Sequence, residues 1–212
     1  RNSNANVIEI DIDDIDIRSE DNIKSYFSGI FSKFGHIDVL VNNAGVSSFE
    51  DFEKRTKDEF SFVADTNLWG TFNCIKTFVN EFDKSCQKSA SIINVGSIYG
   101  IVSSDPRIYL DCKRKSPEIY GASKAGIIQM TKYFSVHLAK RNIRVNCISP
   151  GGIFNPKQPQ GAMFIKEYEK RCPMERMANE ADFASSFLLF ASDDSSYITG
   201  QNLVIDGGFT SW

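Results

Sequence analysis

The run Ile37-Asp38-Val39-Leu40-Val41-Asn42-Asn43-Ala44-Gly45 decides the fold. Four of its first five residues are apolar without alternation, so the segment reads as a strand buried on both faces, the pattern of a parallel sheet covered by helices. Asn42 to Gly45 then close it as a turn. Outward from this run the pattern alternates. Residues 23–34 place Ile23, Phe27, Ile30, Phe31 and Phe34 at helical spacing. A single long helix is expected over residues 58–82, with Leu68, Phe72, Ile75, Val79 and Phe82 on one stripe and Trp69 and Phe78 widening it. Strands are read at residues 7–10, 91–95, 143–148 and 203–205, and helices at residues 121–139 and 180–191.

The order is therefore βαβαβαβαβ. Parallel strands joined by helical crossovers put helices on both faces of the sheet, which predicts a doubly wound, mostly parallel, Rossmann-like α/β fold. At 212 residues one domain spanning residues 1–212 is expected. Ligands of such sheets lie outside the carboxyl ends of the strands, so the segments after residues 10, 41, 95 and 148 should border one crevice.

Composition removes several classes. No apolar run approaches the roughly 18 residues of a helical membrane span. A net charge of −3 offers no basic field for nucleic acid. The five cysteines are odd in number and contain no Cys-x-x-Cys pair, which reads as reduced thiols of a cytoplasmic protein. The two histidines, His36 and His137, stand apart, so no zinc site is expected. The acidic run Asp11, Asp13, Asp14, Asp16 lacks the glycine and terminal glutamate of a calcium loop and reads as a solvated segment.

Chemistry concentrates at Tyr120-Gly-Ala-Ser-Lys124. Residues four apart share a helix face, so the ammonium of Lys124 should lie near the Tyr120 phenol. An ammonium at about 4 Å, with an effective dielectric of ~20, is worth about 4 kcal/mol and would lower the phenol pKa toward general acid/base range. The same spacing recurs at Tyr109 and Lys113, among Pro106, Arg107, Lys115 and Pro117 with no helical period; that pair is read as coincidence. Tyr120 instead opens a helix rich in small residues, Gly121, Ala122, Ser123, Ala125 and Gly126.

With these residues in place the chain resembles the short-chain dehydrogenase/reductase family over nearly all of residues 7–212. The resemblance rests on Asp11-Ile12, Asn42-Asn43-Ala44-Gly45, Asn67 in Thr-Asn-Leu-Trp-Gly, Ser97 in Asn-Val-Gly-Ser-Ile-Tyr-Gly, the Tyr120/Lys124 pair, Pro150-Gly151, and Ile198-Thr-Gly-Gln with Asp206-Gly207-Gly208. It implies an NAD- or NADP-dependent oxidoreductase with Asn67, Ser97, Tyr120 and Lys124 as catalytic residues. Tyr120 would exchange the proton, Ser97 would hydrogen-bond the substrate oxygen, Lys124 would also bind the nicotinamide ribose, and Asn67 would hold a relay water. Cofactor contacts implied in the same way are Asp11, Ile12, Asn43, Ala44, Gly45, Tyr120, Lys124, Pro150, Gly151 and Ile153; no metal is implied. The family threonine after Pro-Gly is Asn155 here.

The family's first strand and its Thr-Gly-x-x-x-Gly-x-Gly turn are not among the 212 residues, so about fifty residues ahead of Arg1 are expected, holding the cofactor pyrophosphate. Between Ser97 and Tyr120 the chain is longer than is common, and the extra segment, with Arg107, Lys113, Arg114 and Lys115, is expected at the mouth of the site. Further similarity is to members associated with flagellin modification and surface-polysaccharide biosynthesis. That would make the small-molecule substrate a sugar or nucleotide sugar bearing a secondary alcohol or ketone. The broad stripe on residues 68–82 and the family resemblance lead to a homo-oligomer, a tetramer or dimer. The competing expectation is a catalytically idle cofactor sensor or scaffold; the intact Asn67, Ser97, Tyr120 and Lys124 speak against it.

Overall fold

The computed structural model describes residues 5–110, 115–157 and 160–212. Its centre is one sheet of four parallel strands in the order β1 (Val39–Asn42), β2 (Ala90–Val95), β3 (Ile143–Pro150) and β4 (Asn202–Ile205). The register aligns Asn42 with Asn94, Val95 with Ile148, and Pro150 with Ile205, so the carboxyl ends of all four strands lie along one edge.

Helices α1 (Glu20–Phe34), α3 (Thr71–Lys84) and α4 (Glu118–Leu138) cover one face of the sheet, and α6 (Ala181–Ala191) covers the other. Period 2 along β2 explains the division. Ile92 joins Ile23, Phe27, Phe31, Ile75, Phe78 and Phe82 in the larger core. Its neighbour Ile93 points the other way, toward Phe183, Phe190 and Ile148. Polar strand residues find partners across the same faces: Ser91 donates to the Phe190 carbonyl at 2.7 Å, and Asn94 donates to Thr131 on α4 at 2.9 Å.

Local sequence sets the helix ends. Ser19 caps α1 by accepting from the Asn22 N–H, and Gly35, at φ 79°, closes it in the left-handed conformation that glycine adopts without cost. Thr56 and Glu59 form a reciprocal capping box at the start of α2 (Lys57–Ala64).

Three expectations change. Residues 7–10 are exposed and belong to no strand among the described residues; a strand exists only with a partner, and apolar alternation carries no information about one. The segment enters the fold from Ile15 and Ile17, which pack on the larger core. The expected single helix over residues 58–82 is interrupted by a π-helical stretch at Asp65–Gly70, between α2 and α3. Its apolar stripe also divides: Ile75, Phe78 and Phe82 face the protein's own core, while Trp69 is exposed. Lastly, the segment after β3 contains a helix that periodicity missed, α5 (Ala162–Glu169).

Candidate active site

Asn67 lies in the π-helical stretch and is fully buried. Its side chain accepts from the Val46 N–H at 2.8 Å and donates to the Val46 carbonyl at 3.0 Å, gripping the loop that leaves β1. Its second amide hydrogen goes to Ser123 Oγ at 2.9 Å, and Ser123 donates to the Tyr120 carbonyl at 2.8 Å. The π turn thus aims one amide at two elements and locks the first turn of α4 to the loop after β1. π-bulges are frequent at functional sites because the extra residue re-aims side chains. Both amide hydrogens being committed, a water at this side chain can only donate to Oδ1. Ser123, completely buried, is a positioning residue that the sequence reading took only as a small residue of the helix.

Lys124 is 4% exposed and donates to the Val95 carbonyl at 2.8 Å. Burial depresses its pKa from the ordinary 10.5 to about 8. Its Nζ lies 5.6 Å from the centre of the Tyr120 ring. The expected lowering of the phenol pKa is not found: burial of Tyr120 pushes it up, and the hydrogen bond with Ser97 draws it only part of the way back. The sequence argument counted the ammonium and omitted the desolvation of the phenol itself. Ser97, 7% exposed, follows β2 and caps the 3-10 turn Ile98–Gly100 by accepting from the Tyr99 N–H.

Glycines make this approach possible. A Cβ on Gly100 would stand 2.7 Å from the Lys124 carbonyl carbon and 2.8 Å from the Ala125 nitrogen, so α4 packs directly on the turn. A Cβ on Gly45 would come within 3.3 Å of Lys124 Nζ and 3.4 Å of Asn67 Oδ1. The bare backbone at Gly45 leaves a cradle over the lysine. Gly151 and Gly152 pack on Tyr168, whose hydroxyl accepts from the Gly152 N–H at 2.6 Å.

Asn43, Ala44 and Gly45 form an exposed run at the end of β1, Pro150 ends β3 and Gly151 and Ile153 follow it, so these expected cofactor positions share one edge with Tyr120 and Lys124. The Gly151 N–H is committed to the Ile205 carbonyl, and the Ile153 carbonyl to Gln160. Asn155 accepts from the Lys157 N–H in an exposed turn. Asp11 and Ile12 are exposed, and their backbone N–H groups bond within the turn, to the Asp14 and Asp11 side chains.

Beside Ser97 and Tyr120 opens a cavity of about 450 Å3. Phe49, Tyr99, Tyr109, Phe164 and Tyr168 give it aromatic walls, and Gly151, Gly152 and Gln160 border it. Tyr109, set aside with its coincidental lysine, is thus part of the site; Lys113, Arg114 and Cys112 lie outside the described residues. The segment that carries Tyr109 is anchored. Ile108 is fully buried against Tyr168, Cys172 and Met177, and Asp105 receives Arg171 at 3.0 Å while Arg171 also pairs with Glu167 of α5 at 2.9 Å. Phe164 and Tyr168 show no sequence signal beyond apolar character, since their partners are remote along the chain. Among the described residues no cluster of His, Cys, Asp and Glu could hold a metal ion, and no helix is long and apolar enough to cross a membrane.

Residues 4–210 match the family model described as enoyl-(acyl carrier protein) reductase. The 3-oxoacyl-acyl-carrier-protein reductase of Thermotoga maritima is 37% identical over 197 residues, 92% of this chain and 74% of that protein. The crystal structure of a short chain dehydrogenase from Leptospira borgpetersenii with bound NAD+ superposes with a TM-score of 0.86 at 43% identity, covering 92% of this chain and 74% of that one. The structure of ElxO with NADP bound gives 0.78 at 27% identity, covering 93% and 77%. Fold, site geometry and relatives agree: the chain belongs to the short-chain dehydrogenase/reductase family of NAD(P)-dependent oxidoreductases.

Proposed function

We propose that the chain moves a hydride between a nicotinamide cofactor, NAD or NADP, and the carbon of a secondary alcohol or ketone. The observation that carries this reading is the hydrogen-bonded pair of Tyr120 and Ser97, which opens on one cavity, beside the buried Lys124. The cradle at Gly45, which any Cβ would fill, and the exposed backbone of Asn43 and Ala44 fit a flat ligand lying across the strand ends. Lys124 has hydrogens beyond the one given to Val95, and these suit ribose hydroxyls. Pro150, Gly151 and Ile153 would border the nicotinamide end. A bound nicotinamide supplies or accepts the hydride.

The protein's own residues handle the proton. In the reducing direction Tyr120 gives its phenolic proton to the substrate oxygen as the carbonyl becomes an alkoxide, and Ser97 donates a hydrogen bond to the same oxygen. The phenolate left behind lies beside Lys124, whose charge stabilises it and which can return a proton. Oxidation runs these steps backwards. Asn67 sets the spacing by tying the loop after β1 to the first turn of α4.

Tyr120→Phe tests the assignment. Turnover, followed by absorbance of the reduced cofactor, should fall by about 10²-fold or more while cofactor binding persists; wild-type turnover would refute the role given to Tyr120. The idle sensor or scaffold finds no support in a site that keeps the Tyr120–Ser97 pair with Lys124 beside it. For assembly, the exposed Phe62, Trp69, Tyr133 and Val136 on α2, the π stretch and α4 support pairing with a second copy, as a dimer or tetramer. A sugar substrate in polysaccharide or flagellin modification is the narrower reading, and the aromatic walls of the cavity suit the C–H faces of a sugar ring.

A further inference from the structure

Tyr120 stands in the least secured part of a helix. It belongs to the first turn of α4, whose N-cap is Pro117, a residue with no side-chain cap to give. The first N–H groups of a helix have no partner inside it, and helix ends fray unless something outside holds them. The bond from the Gly121 N–H to the Pro117 carbonyl, which opens α4, is long at 3.3 Å. Lys124 lies one turn deeper, buried and bonded to the Val95 carbonyl. A frayed first turn would therefore displace Tyr120 and leave Lys124 where it is. Asn67 and Ser123 hold the turn from its buried side, through the Tyr120 carbonyl.

Arg55 holds it through Glu118. The Arg55 side chain is 5% exposed. Its Nε donates to one oxygen of the Glu118 carboxylate and its Nη2 reaches the other at 3.5 Å, the two-pronged pairing of a planar guanidinium. Nη2 also donates to the Glu50 carbonyl, and Nη1 to Ser48 Oγ at 3.0 Å. Glu118 opens α4 two residues before Tyr120, where a negative charge also meets the positive end of the helix. Ser48 and Glu50 belong to the loop after β1, whose Ser47 and Phe49 line the cavity beside Tyr120. The arginine is itself anchored, because the next residue, Thr56, caps α2 in a capping box with Glu59. One fork thus joins a capped helix, a wall of the cavity and the turn that carries the phenol. Glu118 is 48% exposed, so solvent screens the pair and its contribution to overall stability is small; what it fixes is position.

Resting on the oxidoreductase reading, we propose that Arg55 is a positioning residue: through Glu118 it pins the first turn of α4 and so sets Tyr120 against Ser97. A reacting group misplaced by about 1 Å can lose about 100-fold in rate, so a loose turn is felt in kcat before it is felt in folding.

Hydrogen exchange read by mass spectrometry, together with steady-state kinetics, tests this on the full-length protein, with ethyl acetoacetate as probe ketone and NADH or NADPH as reductant. Arg55→Met should speed exchange about tenfold or more at residues 118–122 while residues 127–138 keep their wild-type rates. It should also lower kcat about tenfold or more, with the KM for the cofactor within about twofold of wild type. Glu118→Gln should lose as much kcat, and the double variant no more than either single one. Arg55→Lys keeps the charge without the fork and should retain the wild-type Tm but not the wild-type kcat. Faster exchange spread evenly along the chain, losses that multiply in the double variant, a cofactor KM that rises in step with the fall in kcat, or full kcat in any of the four variants overturns the proposal. A wild type that never oxidises either cofactor, while Arg55→Met still loosens residues 118–122, would sink the hydride-transfer reading and leave the pin at Arg55 standing.

Discussion

Replacing Lys124 by methionine should make the cofactor-free protein more stable while abolishing its chemistry. The lysine is 4% exposed, and its pKa falls from 10.5 in the unfolded chain to about 8 in the fold because burial penalises the ammonium. At 1.36 kcal/mol per pH unit, that fall corresponds to about 3 kcal/mol of destabilisation wherever both states are protonated, that is, below about pH 8. Between pH 8 and 10.5 the unfolded chain holds a proton that the folded one has released, so wild-type stability rises with pH across this window. Methionine carries no such proton. It forfeits the hydrogen bond to the Val95 carbonyl, worth about 1 kcal/mol net. The variant should thus be about 2 kcal/mol more stable than wild type at pH 7, and about 2 kcal/mol of the 3 should have been regained by wild type at pH 9.5, leaving the two nearly equal. Urea unfolding followed by the fluorescence of Trp69 and Trp212, at both pH values and without cofactor, measures this. A stability difference that does not change with pH would refute the claim that the lysine is held charged against its environment.

Other perturbations probe the supports. Asn67→Ala removes the grip on both Val46 groups and on Ser123, and should cost about 2–4 kcal/mol, seen as a Tm lower by roughly 5–15 °C. Gly100→Ala forces a methyl against the α4 backbone and should cost about 1–3 kcal/mol with a disproportionate loss of kcat, because Lys124 moves with the helix; a fully active variant would contradict the packing described. Asp105 is held well below the usual carboxylate range, first by Arg107 and also by Arg171, so its stabilisation exists above about pH 4 and is lost on acidification. Asp105→Asn should flatten that acid limb by less than about 1 kcal/mol and raise KM more than it lowers kcat, as α5 loosens; an unaltered acid limb would argue against the tie.

How much the sequence disclosed depended on the range over which each signal acts. β1, β2, β3 and β4 were legible because buried parallel strands are written as short apolar-rich segments closed by turn residues, and α1 and α4 because their periodicity is local. Tyr120, Lys124, Ser97 and Asn67 were found by motif and lie together around one cavity and its supports. The pairing of residues 7–10 depends on a neighbour that no local pattern names. The π turn at Asp65–Gly70 was hidden because the apolar stripe runs on through it, and α5 because its helical face packs on Ile108 and Phe209 from distant parts of the chain. The raised phenol pKa of Tyr120 was missed because desolvation follows from packing, which spacing does not encode. Tyr109 was dismissed with a lysine it does not need; its partners are Tyr99 and Phe164.

The six-residue π stretch has a consequence for how this chain tolerates length changes. It accommodates one residue more than the ordinary helical winding, and each residue of an α-helix turns the chain by about 100°. Deleting one residue there should let α2 run straight into α3 with every backbone bond regular, a better helix by any local measure. The same deletion rotates α2 and the loop after β1 out of phase with α4, and no amide would then reach both Val46 and Ser123. At this one place, shortening the chain improves the element and disconnects the site, so length here is under functional rather than structural control.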